Sequence, residues 1–189
     1  PGDFMSLTFS AVLFDVDGTI VNSAPVIMGA FRSTLSDFGL EIPDDQRLRT
    51  YVGPPLWYSF GDLGYSGQLR ADLVSRYRER YMDHYLDPEP FDGVRDLLWD
   101  LHHAGVPLAT ATSKQTPMAI AQMEHLGLAD AFDVIAGATP DPGSSKTTVI
   151  HEAIARLGAM GADVSHPVIV GDSIWDVRGG HEAGIPVIG

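Results

Sequence analysis

The sequence predicts an α/β protein whose doubly wound parallel sheet is interrupted by a block of helices. Short apolar runs alternate with stretches of helical periodicity at the start of the chain and again from Phe91 onward. This alternation is typical of a parallel sheet that is covered by helices. Residues 24–88 show helical periodicity only. We therefore expect an α/β core formed by residues 1–23 and 89–189, and an all-helical insert formed by residues 24–88.

The first strand is the continuous apolar run Ala11–Phe14, which is typical of a strand buried on both faces. Asp15 and Asp17 follow it, with Gly18 and Thr19 directly after them. Open α/β sheets bind their ligands at the carboxyl ends of strands, where these aspartates fall. Aspartate and glycine are also ordinary turn residues, so the segment alone is equally consistent with a plain turn.

The insert contains four predicted helical segments, because its apolar residues recur three and four positions apart. Proline and glycine interrupt this periodicity most clearly at 53–55 and 88–90. We expect hinges near Ser23 and at 87–90. The four segments are 26–38, 43–52, 56–63 and 69–85.

The α/β alternation resumes after the insert, and each element follows from its apolar pattern. The predicted helices are 94–101, 117–126, 147–157 and 176–183. The predicted strands are 106–111, 132–136, 167–170 and one that begins at Ile185.

The net charge of the chain restricts its partners. The formal net charge is −13, with only 12 lysines and arginines, whereas nucleic-acid binding rests on clustered positive charge. We therefore expect no nucleic-acid partner. An acidic surface also repels phosphate esters at long range, so a phosphate site needs local positive charge. Lys114 and Lys146 are the only two lysines.

The hydropathy of the chain predicts no membrane partner, because no apolar run approaches the roughly 18 to 20 residues of a membrane span. The N-terminus lacks a signal-peptide pattern, so a cytoplasmic protein is expected. We expect it to be a monomer or a homodimer. We interpret residues 1–8 as a flexible lead-in that contains the native start at Met5. The absence of cysteine excludes disulfides, thiolate zinc sites and cysteine nucleophiles.

A second group of polar residues, Thr112, Ser113 and Lys114, follows the predicted strand 106–111. Hydroxyl and backbone N–H groups at a helix start suit a phosphate group. The alternative is a simple helix N-cap, a position that serine and threonine favour.

Lys146 lies in the segment GSSKTT, directly before a predicted helix. The segment is not a P-loop, because Ser145 stands where that motif requires its second glycine. A lysine at a helix start is unfavourable for the helix dipole, which favours a position facing a phosphate and a carboxylate. A solvated surface lysine is the alternative.

Two further carboxylates, Asp172 and Asp176, follow the predicted strand 167–170. Such hard oxygen ligands suit Mg²⁺, and Gly171 lets the backbone turn close to the site. Asp176 alternatively serves as a first-turn helix residue that is stabilised by the dipole.

Together, DVDGT at 15–19, TSK at 112–114, Lys146 and GDSIWD at 171–176 resemble the motifs of the haloacid dehalogenase superfamily, in the same order. The insert resembles the small helical C1-type cap of that family, and 92–114 looks like its phosphoglycolate phosphatase and nucleotidase branch. The resemblance implies an Mg²⁺-dependent phosphatase with an aspartyl-phosphate intermediate. Its expected substrate is a small phosphate ester such as phosphoglycolate, a nucleotide or a sugar phosphate.

The resemblance also implies the roles of individual residues. Asp15 is expected to be the nucleophile and Asp17 the general acid/base, with Lys146 orienting Asp15 and the phosphate. The implied Mg²⁺ site consists of Asp15, Asp17, Asp172 and Asp176. The implied phosphate-binding residues are Gly18, Thr19, Thr112, Ser113 and Lys114.

The chemistry of these residue types supports the same roles. A phosphoryl group needs an in-line nucleophile and charge neutralisation at its oxygens. A carboxylate such as Asp15 can attack phosphorus and divide one hard step into two. Asp17 can protonate the leaving alkoxide and later activate water.

Several alternatives follow from the same motifs. Dehalogenases of the family lack an acid two residues after the nucleophile, so Asp17 favours phosphate transfer. Phosphonate hydrolases use a cap lysine, and the insert contains none. A mutase of the β-phosphoglucomutase type keeps the same motifs and stays an alternative. So does a catalytically idle binding or regulatory module, since fold does not imply function.

The cap is expected to supply substrate specificity, because the core motifs only handle the phosphate. We predict substrate contact by Arg49 and the turn 53–57, with Arg47 as an equal rival. Relatives in the family continue through another loop and helix beyond the strand reached at Gly189, which leaves open a truncation of the chain.

Overall fold

The computed structural model describes residues 9–141 and 143–189, so the lead-in predicted for residues 1–8 lies outside the described residues. Five parallel strands form one sheet in the order β3-β2-β1-β4-β5, which confirms the predicted parallel sheet. The strands are β1 (Ala11–Phe14), β2 (Leu108–Gln115), β3 (Val134–Ala138), β4 (Pro167–Val170) and β5 (Val187–Ile188).

Strand β1 lies at the centre of the sheet because its side chains are apolar on both faces. Phe14 pairs with Thr110 of β2 and with Val170 of β4. The strand order reverses between β1 and β4, since β2 and β3 extend to one side and β4 and β5 to the other. In open α/β sheets, ligands bind outside the carboxyl ends of the strands at such a switch point.

The remaining elements are helices. Within the described residues, four of them form the insert, namely α1 (Ala24–Asp37), α2 (Asp45–Arg49), α3 (Leu56–Asp62) and α4 (Gly67–Met82), and α5 (Val94–His103) follows them before β2. Three more alternate with the later strands, namely α6 (Thr116–His125), α7 (Lys146–Ala159) and α8 (Ile174–Ala183), with a short 3₁₀ helix at Ala129–Ala131. No helix among residues 9–141 and 143–189 has the length and apolarity needed to span a membrane.

The buried apolar residues of the described ranges form three clusters. One joins α7 to the sheet, and a second joins the sheet to α5 and α6. The third lies within the four helices of the insert. At its centre the Phe31 ring contacts Phe60 and Tyr77, with centroids 5.1 and 4.8 Å away.

Several predicted bounds are wrong, among them the start of β2 at Leu108 instead of 106 and the range of β3, which is Val134–Ala138 instead of 132–136. Strand β2 continues to Gln115 instead of ending at Ala111, because Thr112 and Gln115 still pair with Gly137 and Ala138 of β3. Strand β5 begins at Val187 instead of Ile185, whose N–H donates to Gly180 O at the end of α8. Helix α4 ends at Met82 instead of Tyr85.

Candidate active site

The predicted functional residues meet at the carboxyl edge of the sheet, around the end of β1. Asp15 follows β1, and Asp172 and Asp176 follow β4. Lys146 is the first residue of α7. The structure thus brings together side chains that are up to 161 positions apart in the chain, from Asp15 to Asp176.

Lys146 is the centre of this cluster. Its ammonium nitrogen Nζ lies 2.8 Å from Asp15 Oδ1 and 2.9 Å from Asp176 Oδ1, and it donates a hydrogen bond to Ala111 O at 2.9 Å. Only 6% of its side chain is exposed, which excludes the alternative of a solvated surface lysine.

Two local features place Lys146 in this position. Ser145 is the N-cap of α7, and its side chain accepts a hydrogen bond from Thr148 N in a reciprocal capping box. Gly179 on α8 leaves room for the lysine, since a Cβ atom added there would lie 2.5 Å from Lys146 Cγ.

Burial and ion pairing shift the pKa values of these groups in opposite directions. Burial raises the pKa of Asp15 to about 7, although Lys146 opposes this shift. Burial by itself would lower the pKa of Lys146, but the Asp15 and Asp176 carboxylates reverse that effect and raise it. Burial also raises the pKa of Asp172, against the hydrogen bond from Thr19. The cluster therefore holds more negative charge than one lysine can neutralise.

Three carboxylates of the cluster can converge on a cation. Asp15, Asp172 and Asp176 each offer an oxygen within 4.8 Å of the others. Ser173 donates two hydrogen bonds to Asp176 Oδ2, from N at 3.0 Å and from Oγ at 2.7 Å. Among the described residues, the buried Asp176 Oδ1 accepts no well-directed hydrogen bond, despite its proximity to Lys146. Hard oxygen donors with unused lone pairs fit Mg²⁺.

Gly18 and Thr19 support Asp172 from the loop after β1. Thr19 Oγ1 donates a hydrogen bond to Asp172 Oδ1 at 3.1 Å. Gly18 has a φ of +84°, and a Cβ atom added there would lie 2.4 Å from Asp172 Oδ2. Only glycine can bring this loop so close to the carboxylate. The structure thus places the predicted phosphate-binding residues Gly18 and Thr19 beside the acidic group.

Asp17 is not one of the three converging carboxylates, and it contacts Lys114. Lys114 Nζ is 3.2 Å from Asp17 Oδ1, and 3% of its side chain is exposed. Lys114 also donates to Gln122 Oε1, while Gln122 Nε2 donates to Tyr85 O at 3.0 Å. The Tyr81 ring of α4 lies 5.7 Å from Lys114 Nζ. Lys114 therefore connects Asp17 to the end of the insert.

The other two predicted phosphate-binding residues lie on β2. Thr112 is buried, and its Oγ1 accepts a hydrogen bond from Lys114 N at 3.1 Å. Ser113 is exposed at the same edge of the sheet. Gln122 and Tyr81 could not be predicted as part of the site, because neither belongs to a motif.

A cavity of about 510 Å³ lies between the insert and the sheet. Gly18 and Asp172 line it from the sheet side, and Arg49 lines it from α2. Trp175 also lines it and meets Tyr58 of α3 edge to face, with ring centroids 5.6 Å apart. The cavity therefore joins the acidic group to the predicted specificity residue Arg49.

Known proteins resemble the chain over almost its whole length. The sequence profile of the haloacid dehalogenase-like hydrolases matches residues 12–189. Tyrosine-protein kinase PtkA of Mycobacterium tuberculosis is 36% identical over 179 residues, which cover 94% of this chain and 60% of PtkA. The chain thus spans less than two thirds of that relative. Phosphoglycolate phosphatase of Caulobacter vibrioides is 34% identical over 187 residues, covering 95% of this chain and 78% of the relative.

A similar solved structure is a haloacid dehalogenase-like hydrolase, SP0104, from Streptococcus pneumoniae. It has a TM-score of 0.85 and 32% identity, and the match covers 95% of this chain and 83% of that one. The match of the family profile to nearly every residue confirms the resemblance found in the four motifs. The chain belongs to the haloacid dehalogenase-like hydrolase family.

Proposed function

We propose that this protein is an Mg²⁺-dependent phosphatase that hydrolyses a small phosphate ester through an aspartyl phosphate on Asp15. The observation that supports this most directly is the Lys146 cluster, in which one buried ammonium group holds Asp15 at the edge of the sheet beside two further carboxylates. We place the protein in the cytoplasm, as a monomer or homodimer, and assign residues 24–88 as its cap.

The first half-reaction is attack by a carboxylate oxygen of Asp15 on phosphorus. The bond between phosphorus and the ester oxygen breaks as the new bond to Asp15 forms. Asp17, held by Lys114, donates a proton to the departing oxygen.

The second half-reaction restores the enzyme. The deprotonated Asp17 takes a proton from a water molecule, whose oxygen attacks the phosphorus of the aspartyl phosphate. The bond between phosphorus and Asp15 then breaks, which releases inorganic phosphate and the free carboxylate. Lys146 keeps Asp15 oriented throughout, and the Thr112 and Ser113 groups on β2 bind phosphate oxygens.

The acidic group supplies the metal site in this proposal. Asp15, Asp172 and Asp176, with Asp17 beside them, would hold Mg²⁺, which when bound neutralises phosphate charge and is worth several kcal/mol in such sites. Lys146 by itself faces two carboxylates, so it leaves little positive charge for a phosphate group.

A phosphotransferase is the second candidate function. The 36% sequence identity to a tyrosine-protein kinase favours a phosphotransferase. Hydrolysis and transfer differ only in whether water or another acceptor takes the phosphoryl group from Asp15. A mutase of the β-phosphoglucomutase type is one form of this transfer.

Phosphate release tests the proposal. Purified protein is assayed with Mg²⁺ on phosphoglycolate, sugar phosphates, nucleotides and pyrophosphate, and again after chelation with EDTA. We expect release on at least one substrate, loss of release with EDTA, and loss with Asp15→Asn. Asp100→Asn, which changes an exposed acid on α5, is the matched control and should keep full activity.

Other outcomes of this assay would contradict the proposal or indicate a different function. Absence of turnover on every ester contradicts the enzyme assignment and favours a binding module. An isomerised sugar phosphate without inorganic phosphate indicates a mutase. Retained activity in Asp15→Asn contradicts the nucleophile assignment.

A further inference from the structure

We propose that Tyr81 is a positioning residue for the reaction: the face of its ring holds the Lys114 ammonium, and Lys114 in turn holds Asp17 where it transfers protons. This inference rests on the proposed phosphatase function, and it assigns part of the proton transfer to the insert. It depends on the surroundings of Lys114, on the burial of its contact with Tyr81 and on the packing that orients the Tyr81 ring.

The donors of Lys114 Nζ are used within the protein. Two oxygen atoms accept hydrogen bonds from it, namely Asp17 Oδ1 at 3.2 Å and Gln122 Oε1. An ammonium group has three N–H donors, and the third has no oxygen acceptor among the described residues. The centroid of the Tyr81 ring lies 5.7 Å from Nζ. The negative face of that ring therefore supplies the third favourable contact of the ammonium.

Burial strengthens this cation–π contact. Tyr81 is 9% exposed, and the side chain of Lys114 is 3% exposed. Three other cation–π contacts occur within residues 9–141 and 143–189, and their cations, Arg47, Arg70 and Arg178, are exposed or half-buried. Cation–π attraction increases when the partners are removed from water. Loss of the Tyr81 ring should therefore loosen Lys114.

The packing of α4 fixes the Tyr81 ring. The ring stacks on that of Tyr77, with centroids 5.8 Å apart and planes inclined by 13°, and both residues belong to the buried cluster of the insert. Shortly after α4, Tyr85 O accepts a hydrogen bond from Gln122 Nε2, which directs the other end of the amide toward Lys114. This end of the insert therefore holds Lys114 twice, directly through Tyr81 and indirectly through Tyr85.

Tyr81 holds the ammonium without neutralising it. Burial raises the pKa of its phenol, and the charge of Asp17 raises it further. The phenol is therefore uncharged at neutral pH. A carboxylate in the same place would compete with Asp17 for the charge of Lys114, whereas a neutral ring leaves that charge to Asp17.

The position of Asp17 matters because a general acid must lie within hydrogen-bond reach of the oxygen that it protonates. A misplacement of about 1 Å can lower a rate by about 10²-fold. Among the described residues, Lys114 is the one cation that contacts Asp17. Loosening of Lys114 should therefore slow substrates whose leaving group needs a proton and spare those whose leaving group does not.

The test compares two esters in the presence of Mg²⁺. One is an alkyl phosphate that the phosphate-release panel identifies as a substrate, and the other is p-nitrophenyl phosphate, whose leaving group departs without a proton. The quantity measured is the ratio of kcat for the alkyl ester to kcat for the aryl ester. A general loosening of the insert or weaker metal binding lowers both kcat values and leaves the ratio unchanged.

We expect Tyr81→Leu to lower this ratio by about 3- to 30-fold, the range to which the loss of a cation–π contact converts. Tyr81→Phe keeps the ring and should keep the ratio within about twofold. In a Lys114→Met background, Tyr81→Leu should lower the ratio no further, because the cation is then absent. Phe60→Leu is the matched control: it removes a buried ring of the same cluster that packs on Phe31, and it should leave the ratio unchanged.

Urea unfolding checks that each variant is folded. If Tyr81→Leu does not fold, Tyr81→Met replaces it, because methionine adapts to irregular spaces and also lacks a ring. Four results would overturn the positioning role. They are an unchanged ratio without the ring, a Tyr81→Phe ratio as low as that of Tyr81→Leu, a further fall in the Lys114→Met background, and an equal fall of the ratio in Phe60→Leu.

Failure of the phosphatase proposal looks different, because the unaltered protein would then release no phosphate from either ester or from the wider panel. The positioning role would fall with it, but the contact itself would still be measurable by urea unfolding. Tyr81→Leu should then lower the urea midpoint less in a Lys114→Met background than in the otherwise unaltered protein.

Discussion

Lys146 and Lys114 each hold one of the two aspartates that follow β1. Lys146 pairs with Asp15, and Lys114 pairs with Asp17. Both ammonium groups are buried, and a buried charge is stable only when it is paired. The two proposed roles, attack on phosphorus and proton transfer, are thus assigned to carboxylates with separate partners.

Asp15 should make the metal-free protein less stable as the pH rises. Its pKa is about 7 in the folded protein because of burial, against about 3.9 in an unfolded chain. Between these values the folded state holds a proton that the unfolded state has lost, so the free energy of unfolding falls from pH 4 to 7.

We therefore predict that Asp15→Asn, which cannot titrate, is more stable than the unaltered protein at pH 8 in EDTA. The difference should be on the order of 1–3 kcal/mol and should shrink toward pH 4. Urea unfolding at several pH values measures it. A variant that is less stable at pH 8 would contradict the pKa shift.

Lys114 should matter most when the leaving group needs a proton. Lys114→Met keeps the length of the side chain but no longer holds Asp17. Since general acid catalysis is worth about 10²–10⁴ in rate, we expect kcat for an alkyl phosphate to fall by about 10- to 100-fold. The fall for p-nitrophenyl phosphate should be smaller, because p-nitrophenolate leaves without protonation.

The control for Lys114 is Gln115→Ala, which changes the exposed neighbour on β2. It should leave both substrates unaffected. Equal losses on the alkyl and aryl esters in Lys114→Met would indicate direct phosphate binding by Lys114, as the sequence analysis expected, instead of a positioning role for Asp17.

At the scale of elements, the packing of α8 against α7 determines where Lys146 lies. Gly179 allows this contact, because the space that a Cβ atom would need is filled by Lys146 Cγ and Cβ. Helix propensity alone would favour alanine at this position by about 1 kcal/mol. Packing is expected to outweigh it, since overfilling a close-packed site typically costs about 1–3 kcal/mol.

We predict that Gly179→Ala lowers the free energy of unfolding by about 1 kcal/mol and lowers kcat at least tenfold by displacing Lys146. Gly29→Ala on α1 is the control, because a Cβ atom there would meet nothing within 4 Å. It should stabilise the protein by about 0.5–1 kcal/mol without changing kcat. Urea unfolding and steady-state kinetics check both variants, and a fully active Gly179→Ala would contradict this account.

Most elements could be predicted from the sequence because their apolar periodicity is local. The helices of the insert and the strand before Asp15 are of this kind. The length of β2 could not be predicted, because its last residues belong to the strand through their pairing with β3, Thr112 with Gly137 and Gln115 with Ala138. Those partners are more than twenty positions away in the chain.

At the scale of the whole molecule, the strand order explains why the four motifs meet. The motifs after β1 and β4 and the motif in the last residues of β2 lie at the ends of neighbouring strands, and Lys146 reaches them from the start of α7. This convergence could be predicted from the sequence, because parallel strands present their carboxyl ends at one edge of the sheet. The hydrogen bond of Gln122 to Tyr85 O and the shape of the cavity depend on how the insert packs, and no local pattern encodes that packing.

The burial of both lysines has a consequence for covalent labelling. Amine-reactive reagents are attacked by the uncharged form of a lysine amine. The chain has only two lysines, and Lys114 and Lys146 expose only 8% and 9% of their surface. We predict that an N-hydroxysuccinimide ester acylates both lysines in urea and neither at a comparable rate in the native protein, as peptide mass spectrometry would measure. Rapid native acylation of Lys146 would contradict its burial.

Many proteins carry many surface lysines, and the fast acylation of those lysines obscures the slow acylation of a buried lysine. This chain has no such background, so lysine acylation would report how often the site opens to solvent. Its rate, followed with and without Mg²⁺ and phosphate, would measure the protection of the site without any need for turnover.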